Sequence, residues 1–354
     1  MMEKKERLIY PDFLRIISIF GVIVLHCVGE LWELIPIKSK SWVALAAIDS
    51  LFRFAVPVFV MVSGMFMLSP SKNRSIKELY SKNILRIVTS FAFWSLIYLA
   101  YHQASDYFAD RSAFHPSFKS LLNSFLAGEY HLWFMYMIVG LYIVTPLLRK
   151  LVQNQKTIRY FLIIWMVFCL SVNFIKLVPL VGNYAFSALG LFKISVAVEY
   201  SGYYVLGYYL YKYEITKPIK VLVNIFACLG TVGMAFITVY TSFKSGQNVT
   251  KYFEYLLPMT ALQAVAIYSF AQDFFKGKNP SKKAQKAIYT LSKISFGVYL
   301  SHLIVIKITK KICLSYFSFP TYITFGILLV AAIIISPLIS YLLNKIPNAN
   351  KYII

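Results

Sequence analysis

Apolar residues in this chain gather into continuous blocks rather than narrow stripes. The blocks fall near 13–31, 43–68, 84–102, 131–149, 158–178, 188–210, 219–240, 253–275, 288–308 and 321–344. Each is close to the ~20 residues needed to cross a hydrocarbon core. Backbone amides have no water to pair with inside lipid, so blocks of this length predict helices. None carries the weak two-residue alternation of a barrel strand. The expected fold class is therefore all-α: a polytopic integral membrane bundle of about ten helices. Because the blocks recur along the whole length, a cleaved leader or a single anchor does not account for them. No Gly/Ser-rich linker interrupts the chain, and the longest polar stretch, roughly 103–130, is a modest loop, so residues 1–354 read as a single membrane domain. No internal repeat of the kind that builds many transporters is visible.

Composition agrees with the pattern: 59% of residues are hydrophobic and the mean hydropathy is +0.65. The net charge of +22 would suggest nucleic acid in a soluble protein, but here the position of the charge matters more than its total. Between the blocks, 22 lysines and arginines fall on one set of alternate segments, from Lys4, Lys5 and Arg7 through Lys72–Arg86 and Lys276–Lys286 to Lys351. Only 9 fall on the other set. The richer set is expected to face the cytoplasm, which places both termini there. The tyrosines between Tyr203 and Tyr213 suit an interfacial belt, and a nucleic-acid role is not expected. Cys27, Cys169, Cys228 and Cys313 show no paired spacing, so neither a disulfide framework nor a metal site is expected.

Polar groups inside the blocks carry the candidate chemistry, because each one costs about 2.5–3.5 kcal/mol to insert. Arg15 and His26 are eleven residues apart, which places them within about 20° on one helical face, with His26 ~16 Å deeper. Asp12 and Glu30 extend the stripe at spacings of three and four. The bland alternative is an arginine that snorkels to the interface and a histidine that makes an interhelical hydrogen bond. A second histidine argues against it: His302 lies about as far along its own block, in a stripe with Ser295 and Tyr299. Asp49 and Arg53 are spaced for an ion pair ahead of Pro57, Ser63 and Gly64, and such an arginine either serves structure or stabilises a developing oxyanion. Glu199 is a further intramembrane carboxylate with no partner evident from the sequence.

At these residues the chain resembles acyltransferase family 3, bacterial membrane proteins that O-acylate surface glycans. Four segments carry the resemblance. They are Asp12-Phe13-Leu14-Arg15 with His26, Arg53 through Val56-Pro57-Val58-Phe59 to Ser63-Gly64, His131-Leu132-Trp133-Phe134 leading to Leu141-Tyr142 and Pro146, and Ile294-Ser295-Phe296-Gly297-Val298-Tyr299-Leu300-Ser301-His302. The third segment is similar to members related to enterobacterial common-antigen and capsule O-acetyltransferases. Arg86 fits the arginine that opens the family's third helix, although the proline usual shortly afterwards is replaced by Thr89-Ser90.

The resemblance implies transfer of an acetyl or short acyl group from acyl-CoA, usually acetyl-CoA, to a hydroxyl of a surface or lipid-linked glycan in the cell membrane. Arg15, Lys82 and Arg86 are the expected contacts to the coenzyme A phosphates. His26 is the expected general base or, alternatively, a transient acyl carrier, with Arg53, Ser63, Tyr299 and His302 orienting or stabilising the reacting groups. The competing reading is a transporter or flippase of a lipid-linked sugar, in which the same polar stripes line a pathway.

Overall fold

The computed structural model describes residues 8–70, 75–111, 115–178, 194–317 and 319–354. Helix α1, Tyr10–Trp32, opens on Pro11, whose missing amide falls where a first turn has no partner to offer. Helix α2, Lys40–Phe52, is capped by the Ser39 hydroxyl, which accepts from Trp42 N at 3.2 Å. Helix α3, Ala55–Met67, follows after a break at Arg53 and Phe54. Pro57 has no amide to return to the Arg53 carbonyl, so the ladder opens there and block 43–68 becomes two helices in tandem.

A capping box of Ser75 and Glu78 starts the turns Ile76–Ile84, which run directly into α4, Leu85–Ala109. The short α5, Phe118–Ala127, and a 3₁₀ turn, Tyr130–Leu132, lead into α6, Trp133–Leu151. Helix α7, Gln155–Trp165, continues with a wider winding to Ile175. Beyond it lie α8, Ile194–Lys212, α9, Lys217–Ser245, and α10, Pro258–Phe275. The chain continues through α11, Lys282–Tyr316, α12, Thr321–Lys345, and the short α13, Ala349–Tyr352.

Among the described residues eight helical segments are long and apolar enough to cross a membrane. Helices α8 and α10, of 19 and 18 residues, coincide with the remaining two blocks, so the count of about ten is approximate. Block 188–210 is described only from residue 194, and Lys4, Lys5, Arg7, Lys72 and Arg74 also lie outside the described residues. Glu199 marks a break inside α8, with φ −6° and ψ −111°.

Helix α1 is central and packs on α2, α3, α10, α11 and α12. Helices α3 and α8 meet more closely than side chains permit. A Cβ on Gly64 would stand 1.8 Å from the Tyr204 carbonyl oxygen, and one on Gly207 would stand 2.0 Å from that of Met61. The two glycines face each other's backbones, the small-residue contact by which helices associate where lipid removes the hydrophobic drive. Segment 349–354 tucks against α4: Arg86 Nε donates to the Ile354 oxygen at 3.0 Å, and Trp94 Nε1 to the Ile353 oxygen at 3.0 Å.

Candidate functional site

The long apolar register of α1 and α11 brings His26 and His302 to the same level, with ring centroids 5.0 Å apart. A third imidazole completes the cluster. His131 enters from the 3₁₀ turn ahead of α6, 5.2 Å from His302 and 5.9 Å from His26. In the sequence His131 belongs to a motif that by itself assigns it no role. The turn that presents it has no helical periodicity, and a histidine beside Trp133 was the sole signal.

Partners fix the ring states. His302 Nδ1 faces two carbonyl oxygens, Tyr299 at 2.7 Å and Val298 at 3.2 Å, so that nitrogen carries the hydrogen. Its Nε2 is left as a buried lone pair with no hydrogen-bond partner. Both ring nitrogens of His131 are likewise buried without a partner. His26 Nδ1 lies 3.1 Å from the Tyr130 hydroxyl. The Tyr299 hydroxyl donates to the His131 carbonyl at 2.6 Å and so ties α11 to the 3₁₀ turn.

His26 stands on a wall shared by two cavities. The first, about 550 Å³, lies at the Glu30 end of α1 and is lined by polar and aromatic groups, including Asp49, Arg53, Trp133, Tyr200, Glu254 and Tyr255. Arg53 is paired with Asp49, and its guanidinium lies over the rings of Phe253 at 5.0 Å and Tyr255 at 5.5 Å. The tandem break at Arg53 thus delivers a cation to the cavity with its charge already matched. Trp133 and Tyr255 stack with centroids 6.1 Å apart. The second cavity, a slot of about 50 Å³, is mostly apolar and is lined by Val22, Leu25, Val56, Phe59, Phe134 and Phe296, together with His26, His131 and Tyr299.

Arg86 lies behind the slot, with its guanidinium over Phe296 at 5.1 Å. Arg15 is paired with Asp12 at 3.7 Å and lies over Phe66 at 4.7 Å. Asp12 also accepts from Ser292 Oγ at 2.7 Å, one turn from Phe296 on α11, so both arginines flank the same stretch of that helix. Lys82 is exposed and paired with Glu78 at 2.8 Å. Ser63 lines neither cavity. Another cavity, about 650 Å³, lies at the Tyr10 end of the bundle and shares no residue with the histidine cluster. Two of its lysines, Lys220 and Lys276, are paired with Asp273 and Glu214.

A second polar layer stands at the Glu30 end. The buried Glu129 carboxylate holds His102 Nε2 at 2.7 Å and Lys307 Nζ at 2.9 Å, while Lys310 pairs with Glu30. Among the described residues no group of three or more His, Cys, Asp or Glu side chains is arranged to hold a metal ion.

The fold and site define a polytopic helical membrane protein in which a cluster of three histidines stands beside a polar cavity and an apolar slot. A family model described as an acyltransferase domain, that of acyltransferase family 3, matches residues 8–343, and the chain belongs to this family. Comparison with curated proteins finds no match, and comparison with solved structures finds none either.

Proposed function

We propose that this membrane acyltransferase moves an acetyl or similarly short acyl group from acyl-CoA to a hydroxyl of a surface or lipid-linked glycan, with His26 as general base. The observation that carries the reading is the position of His26 on the wall common to the slot and the polar cavity. The thin apolar slot suits an acyl thioester arm, and the roomier cavity suits a sugar, whose apolar face stacks on aromatic rings while its hydroxyls meet the polar groups. Arg15 and Arg86, at the Tyr10 end, are the donors for the coenzyme A phosphates. That end carries the richer set of basic loops and so is assigned to the cytoplasm.

In the transfer step His26 takes the proton of the acceptor hydroxyl as its oxygen attacks the thioester carbonyl carbon. The carbon–sulfur bond then breaks, and the leaving thiolate takes the proton from the imidazolium. No net proton is gained or lost. His302 packs against His26 with ring centroids 5.0 Å apart, and Arg53 contributes positive potential toward the developing oxyanion from the cavity side.

The test is mass spectrometry of surface glycans from cells with the intact gene and with His26→Ala, alongside calorimetry of acetyl-CoA binding to the purified protein. An ester lost only in the variant, with donor binding retained, supports the reading. Failure of the wild-type protein to bind any acyl-CoA would turn it toward transport.

A further inference from the structure

An acyl group that meets the acceptor at His26 must leave its carbonyl at the wall the slot shares with the polar cavity, formed by Leu25, His26, Trp133 and Tyr255. The sulfur side of the thioester then leads toward Arg15 and Arg86. It passes Val22, two turns from Arg15 on α1, and Phe296, over which Arg86 lies at 5.1 Å. The tail of the acyl group is left with the remaining apolar wall, Val56, Phe59 and Phe134.

That wall is closed and stiff. The rings of Phe59 and Phe134 meet edge to face with centroids 5.9 Å apart, and Phe134 continues to Tyr299 at 5.5 Å. Tyr299 is pinned in turn by its hydrogen bond of 2.6 Å to the His131 carbonyl. Phe59 rides on α3, whose backbone is pressed against that of α8 at Gly64 and Gly207, so α3 cannot draw back to make room. Neither lysine nor arginine lines the slot, so a tail that ends in a carboxylate would lose its water there without gaining a counter-ion.

The size of the slot decides what fits. About 50 Å³ holds three or four water-sized groups, at roughly 10–15 Å³ each. An acetyl group has three non-hydrogen atoms and a butanoyl group has five. The first fits against the rings, and the second would have to displace one of them. We infer that Phe59 and Phe134 are specificity-determining residues that restrict the transferred group to acetyl, by closing the slot behind its methyl group. The inference rests on the acyl-transfer reading given above and adds to it the acyl class and the residues that set it.

The experiment uses membranes of the producing cell, which carry the acceptor, with acetyl-CoA and butanoyl-CoA radiolabelled in the acyl group as the probes. It reads the ratio of butanoyl to acetyl transfer, each as kcat/KM, in wild-type protein, Phe59→Ala, Phe134→Ala and Phe52→Ala. Both rates come from one preparation, so the ratio does not depend on how much of the protein is folded. Wild type is expected to favour acetyl by at least about tenfold, since one extra methylene in an apolar pocket is worth roughly 10–200-fold. Phe59→Ala and Phe134→Ala are each expected to raise the ratio by about tenfold or more. Phe52→Ala, whose ring stands against Phe20 and lines neither cavity, should keep the wild-type ratio. A wild-type protein that takes both donors equally would overturn the inference, as would a ratio unchanged in either slot variant. An equal rise in Phe52→Ala would mark general loosening and overturn it as well. Where the alanine variants transfer no label, Phe59→Leu is read by the same ratio and the same criterion. Wild-type membranes that incorporate neither label would instead remove the acyl-transfer reading, and this inference with it.

Discussion

His302 Nδ1 lies 2.7 Å from the carbonyl oxygen of Tyr299, one turn back on its own helix, so its hydrogen is committed to the backbone and its other nitrogen cannot donate. His302 is therefore a fixed acceptor beside His26, and the two imidazoles have different capacities although they sit at one level. His26 lines both the slot and the polar cavity, and His302 lines neither.

That difference separates the two variants. His26→Ala should bind acetyl-CoA with unchanged affinity and lose about 10²–10⁴-fold in transfer rate. His302→Phe should keep a measurable rate, reduced by loss of the imidazole that packs against His26. Rates of label transfer at saturating donor check both, and equal rates for His26→Ala and wild type would end the catalytic assignment.

Donor affinity should depend on the arginines flanking α11. Arg86 keeps its terminal NH groups for an anion because only its Nε is held by Ile354. Charge-assisted contacts of this kind are worth about 1.5–3 kcal/mol, so Arg86→Ala or Arg15→Ala should weaken acetyl-CoA binding by roughly ten- to a hundredfold. Calorimetry in detergent measures this, and an unaltered Kd in both variants would move the donor elsewhere.

The α3–α8 contact makes a prediction about folding rather than chemistry. Gly64→Ala and Gly207→Ala each force a methyl group into a carbonyl of the facing helix, and backbone there cannot yield as a side-chain tip would. Both variants should fail to give monodisperse protein or should melt well below wild type. Gly140→Ala and Gly233→Ala, where a Cβ meets nothing within 4 Å, serve as controls with stability unchanged or slightly raised.

Glu129, just outside its span, makes the pH prediction. Burial pushes its carboxyl up, but His102 and Lys307 outweigh burial and hold it below the ordinary carboxylate range. A depressed folded value means that the stabilisation is fully present above the unfolded value, about 4.3, and is lost as pH falls through the folded one. The stability difference between wild type and Glu129→Gln should therefore be largest near neutrality and shrink below about pH 4. Thermal melts across that range test it, and a difference that does not change with pH would contradict it.

The helices and the level of His26 and His302 were legible because lipid fixes both the length of an apolar block and the rise per residue within it. Asp49 and Arg53 declared their pairing by spacing, but block 43–68 reads as one helix, and the full break ahead of Pro57 emerges only in the structure. Other partners lie far apart in sequence and follow no local rule. Glu129 meets Lys307 across 178 positions, and Arg86 meets Ile354 across 268. His131 and Tyr130 arrive on a short turn, where periodicity gives no depth, so the cluster read as two imidazoles is three. Ser63 shares its helix with Gly64 and falls on a face that reaches neither cavity, a consequence of the rotation that the Gly64 contact imposes.

The reciprocal glycine contact also constrains how the protein is made. Helix α3 emerges from the ribosome long before α8, with α4 to α7 synthesised between them. The Gly64 face of α3 therefore enters the bilayer without its partner and stays uncovered until residue 207 has been inserted. Until then α2 and α3 carry the Asp49–Arg53 pair and a groove shaped for a backbone that does not yet exist. The cavity walled by Arg53 and Tyr200 therefore cannot be completed before α8 has been inserted, an order set by the distance in sequence between two glycines.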